Sequence, residues 1–194
     1  LTDVAIFSII KTFFKAVHSV SGSFFDPMMS KFLELKHDVK DFSVKMNSIF
    51  WGTFIFRLLV FIFLSLLVNY FFLTYKIENN EINKFIFYVL GIEYIVAGMI
   101  LVYGVILRVD KTTNKVFIAS LGRFCVELTL IYLILLDYGV VAAALILLIA
   151  RYFETVFTYF FVKNQKIFYL SGVILLCFLL IVVYCVYQLI TIPL

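Results

Sequence analysis

Two lysines and a histidine interrupt an apolar stretch near the start of the sequence. Lys11, Lys15 and His18 follow one another at spacings of four and three, so they form one row along a helix, which Ser8 and Gly22 extend. Ammonium groups bind phosphate oxygens as point charges. The row indicates either a wet cavity that receives a phosphate or diphosphate head group, or an interfacial helix whose lysines touch anionic lipid. The cavity is the preferred interpretation.

Charged residues also interrupt the later apolar segments. They are Arg57, Glu93, Arg123, Glu127, Arg151 and Glu154. Each would cost about 2.5–3.5 kcal/mol at the centre of a lone membrane helix, so each is expected to face protein or water. The spacing of Arg123 and Glu127, and of Arg151 and Glu154, places each pair on one helix face. Arg123–Glu154 or Glu127–Arg151 pairs across the helix interface are therefore predicted. A structural lock is the preferred role, and a proton or cation relay is the alternative.

Glu93 has no basic partner in its own apolar segment. It is interpreted either as a carboxylate that couples transport to H⁺ or Na⁺, or as the counter-ion of Arg57 in the preceding segment. The counter-ion role is preferred. Arg57 also joins Lys11, Lys15 and His18 in the predicted set of substrate-binding residues.

No sequence pattern of a metal site, a phosphate-binding loop or a catalytic nucleophile is present: HExxH and GxSxG are both missing. We therefore predict no metal, no cofactor, no nucleic-acid partner and no enzymatic activity. The three cysteines, Cys125, Cys177 and Cys185, lie in apolar runs and are interpreted as small hydrophobic residues.

The elements that carry these residues are predicted to be membrane helices. Of the 194 residues, 64% are hydrophobic and only 14% are charged, which is more apolar surface than one soluble core can hide. Continuous apolar runs of about 20 residues predict helices rather than barrel strands. The expected fold is an all-α polytopic membrane protein, and an interfacial position is the alternative for the first helix alone. The six predicted spans are 2–29, 48–75, 84–107, 116–136, 139–162 and 167–191.

Lysine and arginine are unevenly distributed between the loops. Three loops, 30–47, 108–115 and 163–166, carry most of them, whereas the loop on the other side holds only Lys76 and Lys84. The positive-inside rule places the three basic loops in the cytoplasm. Both ends of the sequence then face outward, which fits a segment of a longer polytopic chain. We expect a bacterial or archaeal cytoplasmic membrane.

Several segments resemble a known transporter family. A span ends in the basic loop DKTTNK (110–115), and the DYGVVAAA turn (137–144) opens an alanine-rich helix that continues with Arg151 and Glu154. Upstream, SGSFFDPMMSKFLELKHDVKDF (21–42) leads from a span through a proline into a basic loop. This order and spacing resemble the polysaccharide-type flippases of the multidrug/oligosaccharidyl-lipid/polysaccharide (MOP) exporter superfamily.

The resemblance implies one lobe of a two-lobed transporter. Residues 1–166 would form most of the second lobe, residues 167–194 an additional transmembrane helix, and the row of Lys11 would border the central cavity. The implied function is flipping or export of lipid-linked oligosaccharide or polysaccharide precursors by alternating access, with membrane lipid, the glycan and an N-terminal lobe or a second copy as partners. The alternatives are a cation-coupled multidrug exporter of the same fold and a non-transporting membrane subunit.

Overall fold

The chain folds into α-helices throughout the part that the structure describes. The computed structural model describes residues 2–34, 39–109 and 112–162, and the single positions 177, 178, 180, 181 and 184. The helices are α1 (Asp3–Glu34), α2 (Val39–Leu66), α3 (Val68–Thr74), α4 (Glu81–Val109) and α5 (Thr113–Val162). The all-α prediction is confirmed.

Five helical segments are long and apolar enough to cross a bilayer. They are Asp3–Ser23, Val44–Leu66, Glu81–Arg108, Thr113–Leu135 and Tyr138–Val162. These segments correspond to the first five predicted spans, and the chain is an integral membrane protein. The sixth predicted span, 167–191, lies outside the described residues except for five single positions.

Helix extends further than expected between the first two spans. The predicted loop 30–47 is helical at both ends, because α1 continues to Glu34 and α2 begins at Val39. This segment contains four Lys, two Leu and one Glu, residue types that favour helix whether or not lipid surrounds them. The end of an apolar run therefore indicates where the chain leaves the membrane, and the helix itself can continue beyond that point.

The second predicted span, 48–75, contains a break that its apolar pattern did not indicate. Leu67 separates α2 from α3 with backbone angles φ −96° and ψ 5°. Just before it, the Ser65 hydroxyl donates a hydrogen bond of 2.8 Å to the carbonyl of Phe61. A serine that bonds back to the preceding turn often bends a helix. The short α3 follows, and the chain then turns at Lys76, whose φ is 53°.

Helix α4 is the centre of the bundle and contacts α1, α2 and α5. In an apolar 18-residue stretch of its spanning segment 67% of residues are buried inside the protein, compared with 6% in the corresponding stretch of Thr113–Leu135. An aromatic cluster forms around Phe87 of α4, whose ring lies 5.1 Å from that of Phe14 in α1 and 5.6 Å from that of Phe71 in α3. A polar group on α4 that points inward therefore meets protein rather than lipid.

Helix α5 folds back on itself at Gly139, which has φ 55° and ψ −133°. The first arm, Thr113–Leu135, and the second arm, Tyr138–Val162, run antiparallel, since Ser120 of one hydrogen-bonds Glu154 of the other. The predicted turn between the fourth and fifth spans is confirmed. Glycine is needed because side-chain-bearing residues rarely adopt this backbone conformation.

Replacing Gly139 by alanine is expected to lower the free energy of unfolding by about 1–3 kcal/mol through backbone strain. A Cβ there would meet no atom within 4 Å, so steric overlap contributes nothing. Gly52→Ala is the matched control: it sits in α2 with helical φ and equally open surroundings, and it should be neutral or slightly stabilising. Denaturant unfolding in detergent micelles measures both. Equal effects of the two substitutions would contradict the assignment.

Candidate functional site

A cavity of about 330 Å³ lies between α1, α4 and the two arms of α5. Its lining includes Lys11, Lys15 and His18 from α1, Glu93 and Tyr94 from α4, and Arg123 and Arg151 from α5. We call it the basic cavity, because four of these side chains are Lys or Arg and one is acidic. The fold thus brings the predicted cationic row together with residues more than 70 positions later in the sequence.

Packing of α1 against α4 directs the lysines toward the basic cavity. Ile10 and Phe14 are 0% and 4% exposed, and the Phe14 ring contacts Phe87 of α4. Lys11 and Lys15 each follow one of these residues, so they project about 100° around the helix from the buried face. The apolar face of α1, opposite the cationic row, is therefore the packed one. This packing favours the spanning interpretation of α1 over an interfacial position.

The two lysines have no acidic partner within the described part of the chain. No carboxylate there lies within 4.0 Å of the ammonium group of Lys11 or Lys15. Lys11 Nζ lies 5.6 Å from the centre of the Phe7 ring, a cation–π contact of about 0.5–2 kcal/mol. That contact does not neutralise the charge, so both ammonium groups remain able to bind an anion.

Glu154 on the second arm of α5 organises the opposite wall. It is 5% exposed, and its Oε2 accepts hydrogen bonds from Arg151 Nη1 at 2.9 Å and from Arg123 Nη1 at 3.5 Å. Its Oε1 accepts a third from Ser120 Oγ at 2.9 Å. The predicted Arg123–Glu154 pair is confirmed. This ion pair joins the two arms of α5 at a buried position, where an unpaired charge would be costly.

Two further carboxylates extend this arrangement at its ends. Arg123 donates through Nε and Nη2 to Glu127 Oε1 at 3.0 and 2.9 Å, so the alternative Glu127–Arg151 pair does not form. Arg151 donates through Nε to Glu93 Oε1 at 2.8 Å, which ties α5 to α4. We call the alternating series Glu127, Arg123, Glu154, Arg151 and Glu93 the ion-pair chain. Because each carboxylate accepts from an arginine, this geometry supports the structural lock.

The predicted pairing of Glu93 with Arg57 is wrong. Glu93 pairs with Arg151, and no ion pair within 4.0 Å joins it to Arg57. The reason is angular: Arg57 lies against Tyr94, and successive helical residues point about 100° apart. The side chain of Glu93 therefore faces α5, while that of Tyr94 lies between α1 and α2.

Arg57 is completely buried behind the basic cavity and is not part of its lining. Its Nη1 donates to the Tyr94 carbonyl at 2.7 Å and lies 3.0 Å from His18 Nδ1, and its guanidinium lies 4.7 Å from the centre of the Tyr94 ring. A guanidinium only donates, so His18 Nδ1 accepts this bond. Arg57 thus holds His18 in place, and the prediction that it binds substrate directly finds no support in this position.

Two polar atoms of the Arg57 side chain, Nε and Nη2, have no hydrogen-bond partner among the described residues. Gly98 of α4 makes room for this side chain, since a Cβ at position 98 would overlap Arg57 Cδ and Nε. The absence of a side chain on α4 is therefore what allows a buried guanidinium to reach Tyr94 and His18.

A smaller, mostly apolar cavity of about 190 Å³ adjoins the basic cavity. Lys11 and Leu147 line both. The remaining lining of the smaller cavity is Phe7, Glu127, Ile131, Leu135, Ala143 and Ile146. A charged compartment thus borders an apolar one along the seam between α1 and α5.

Within the described ranges, no group of three or more His, Cys, Asp or Glu side chains is placed to hold a metal ion. Cys125 and Cys177 carry free, exposed thiols. Cys185 lies outside the described residues.

Tyr94 is the site residue that sequence reasoning missed. It is 1% exposed, its hydroxyl lies 2.7 Å from Ser21 Oγ, and its carbonyl and ring both contact Arg57. A tyrosine in an aromatic-rich membrane helix carries no distinctive signal. Its position next to Glu93 was the only available indication.

Comparisons with models of protein families, with curated proteins and with solved structures found no match for this chain.

Proposed function

We propose that this chain forms part of a membrane transporter of the flippase type, which moves a lipid-linked oligosaccharide or polysaccharide precursor across the bilayer. In this proposal the diphosphate head group of the carrier lipid binds in the basic cavity, while its lipid tail stays in the membrane. Translocation breaks no covalent bond, so the proposal assigns substrate-binding roles and no catalytic residue. Alternating access requires a second lobe or a second copy of the chain as partner.

The observation that carries the proposal is the pair of lysines at the basic cavity that have no acidic partner among the described residues. The cavity volume of about 330 Å³ falls within the range of roughly 300–1,000 Å³ that is usual for small-molecule sites. Lys11 and Lys15 face the arginines of α5 across it. Uncompensated cations in a membrane protein are costly, and an anion that binds between them offsets this cost.

The proposed orientation in the membrane is based on the distribution of Lys and Arg between the loops. We place the protein in a bacterial or archaeal cytoplasmic membrane, with the basic segments 30–47, 108–115 and 163–166 on the cytoplasmic side. Support comes from the low number of lysines and arginines in the connection between α3 and α4.

The geometry gives less support to a cation-coupled drug exporter. Such a protein needs a carboxylate able to bind a cation, whereas Glu93, Glu127 and Glu154 each accept hydrogen bonds from an arginine. Drug resistance that depends on Glu93 would favour the exporter over the flippase. A non-transporting subunit would instead leave glycan export unchanged when Lys11 and Lys15 are replaced.

The double substitution Lys11→Gln/Lys15→Gln tests the proposed function. We expect export of the glycan to fall by about tenfold or more, because two charged contacts to the head group are lost. Export is measured in cells that express the variant from the native locus, together with the amount of protein in the membrane. Lys76→Gln/Lys84→Gln removes the same charge outside the cavity and should export normally. Normal export by the first variant, present at its usual level, would reject the proposal.

A further inference from the structure

Glu93 is the one acidic side chain that lines the basic cavity among the residues described. Its side chain is 20% exposed, so a molecule in the cavity can reach it. Its Oε1 accepts from Arg151 Nε at 2.8 Å, whereas Arg151 Nη1 points away to Glu154, which is not part of the lining. Glu93 therefore occupies the side of Arg151 that faces the cavity.

An anion bound in the basic cavity would lie next to the Glu93 carboxylate. Arginine presents a fork of N–H donors that binds carboxylate and phosphate oxygens in the same way. A phosphate and Glu93 are thus alternative partners for the same edge of Arg151. The other charged or titratable groups around Glu93 are Lys11, Lys15 and His18 on α1, Tyr94 on α4, Arg123 and Glu154 on α5, and Arg57 on α2 behind Tyr94.

We propose that Glu93 is a displaceable counter-ion that competes with the phosphate groups of the substrate for Arg151 and so keeps their affinity low enough for release. This inference rests on the proposed function. A phosphate oxygen takes over the hydrogen bond from Arg151 Nε as Glu93 swings away, and Glu93 returns as the substrate leaves. Only hydrogen bonds are exchanged.

A transport site needs such a counter-ion because it must both bind its substrate and release it. Binding must be favourable enough for the substrate to enter and weak enough for it to leave. A cavity with four basic side chains and no internal anion would retain a multivalent phosphate. A carboxylate at hydrogen-bond distance from one of the arginines lowers the affinity by offering the cation another partner and by repelling the phosphate.

The substitutions Glu93→Gln and Glu93→Asp separate charge from structure. Glutamine keeps the size and an acceptor oxygen for Arg151, but it removes the negative charge. We expect Glu93→Gln to lower the Kd for inorganic diphosphate by about tenfold or more and to slow glycan export, since release becomes limiting. Glu93→Asp keeps the charge and should bind within about threefold of the unsubstituted chain, a difference of less than 1 kcal/mol.

The measurement is titration of the full chain in lipid nanodiscs with inorganic diphosphate, repeated with a short-chain polyprenyl diphosphate. Glu78→Gln is the matched control, because Glu78 lies on the exposed connection before α4 and lines neither cavity, and the Kd of this variant should not change. A structural role for Glu93 would instead weaken binding in the glutamine variant.

The outcomes separate this inference from the proposed function. Tighter binding by Glu93→Gln alone supports the counter-ion role. Unchanged or weaker binding by Glu93→Gln, with normal binding by the unsubstituted chain, overturns the counter-ion role and leaves the proposed function standing. If the unsubstituted chain binds neither probe, the proposed function fails and this inference fails with it.

Discussion

Glu154→Ala is expected to lower the free energy of unfolding by about 3–5 kcal/mol, the range observed when one partner of a buried ion pair is removed. The buried carboxylate accepts from Arg151, Arg123 and Ser120. Without it, two guanidinium groups face each other inside the membrane with only their outer partners, Glu127 and Glu93. The two arms of α5 would also lose their polar connection.

Denaturant unfolding in detergent micelles or bicelles measures this effect. Glu127→Ala is the control within the same ion-pair chain: it removes one partner from one arginine, and its side chain is 21% exposed, so a smaller loss is expected. Glu78→Ala, on the exposed connection before α4, should change stability little. A loss for Glu154→Ala no larger than that for Glu127→Ala would show that Glu154 does not organise the wall of the cavity.

Gly98→Ala is the second substitution for which we expect a large effect. The added methyl group would occupy the position of the Arg57 side chain, which is already completely buried. Arginine is flexible, but any rotamer that avoids the methyl group gives up the bonds to the Tyr94 carbonyl and His18. One hydrogen bond to a charged group contributes about 1.5–3 kcal/mol, so the loss should be at least of this size.

Gly91→Ala tests whether the loss in Gly98→Ala comes from the steric conflict with Arg57. A Cβ at Gly91 would overlap the ring of Phe61, which is only half-buried and can rotate toward lipid. Gly91→Ala should therefore cost less than Gly98→Ala. Combining Gly98→Ala with Arg57→Ala should recover stability relative to Gly98→Ala alone, because the overlapping side chain is gone. Additive losses in that double variant would refute a steric conflict between positions 57 and 98.

The two substitutions also bear on function, since they act on opposite walls of the basic cavity. Glu154 holds Arg123 and Arg151 in position on α5, and Arg57 holds His18 on α1. In a membrane, where water is scarce, each of these charges needs a partner supplied by the protein or by a ligand. The residues that stabilise the bundle therefore also determine where an anion can bind.

The sequence predicted the helices well and their ends less well. Long apolar runs predicted five spans, because a bilayer demands about 20 apolar residues from any helix that crosses it. It did not predict the break at Leu67 or the helical continuation to Glu34, since neither changes the apolar pattern. The turn at Gly139 was predicted from the short DYG break between two apolar runs, and the structure adds the reason, a backbone conformation that glycine tolerates and other residues avoid.

The partners of the buried charges depended on information that the sequence lacks. Spacing placed Arg123 and Glu127, and Arg151 and Glu154, on shared faces, and both intrahelical pairs form. Pairing between helices depends on their relative depth and rotation, which local spacing does not define. Glu93 was therefore assigned to α2 rather than to Arg151 on α5.

By itself, the sequence determined that this protein lies in the membrane, is helical, and carries more basic than acidic side chains within its apolar segments. Composition and periodicity suffice for that, because the energetic cost of polar groups in lipid applies to every residue separately. Only the tertiary structure decided that Lys11 and Lys15 share a cavity with Arg123 and Arg151, and that Glu93 lies among them. Electrostatic partnership depends on distances of a few ångströms between side chains that are far apart in sequence, and those distances follow from how the helices pack.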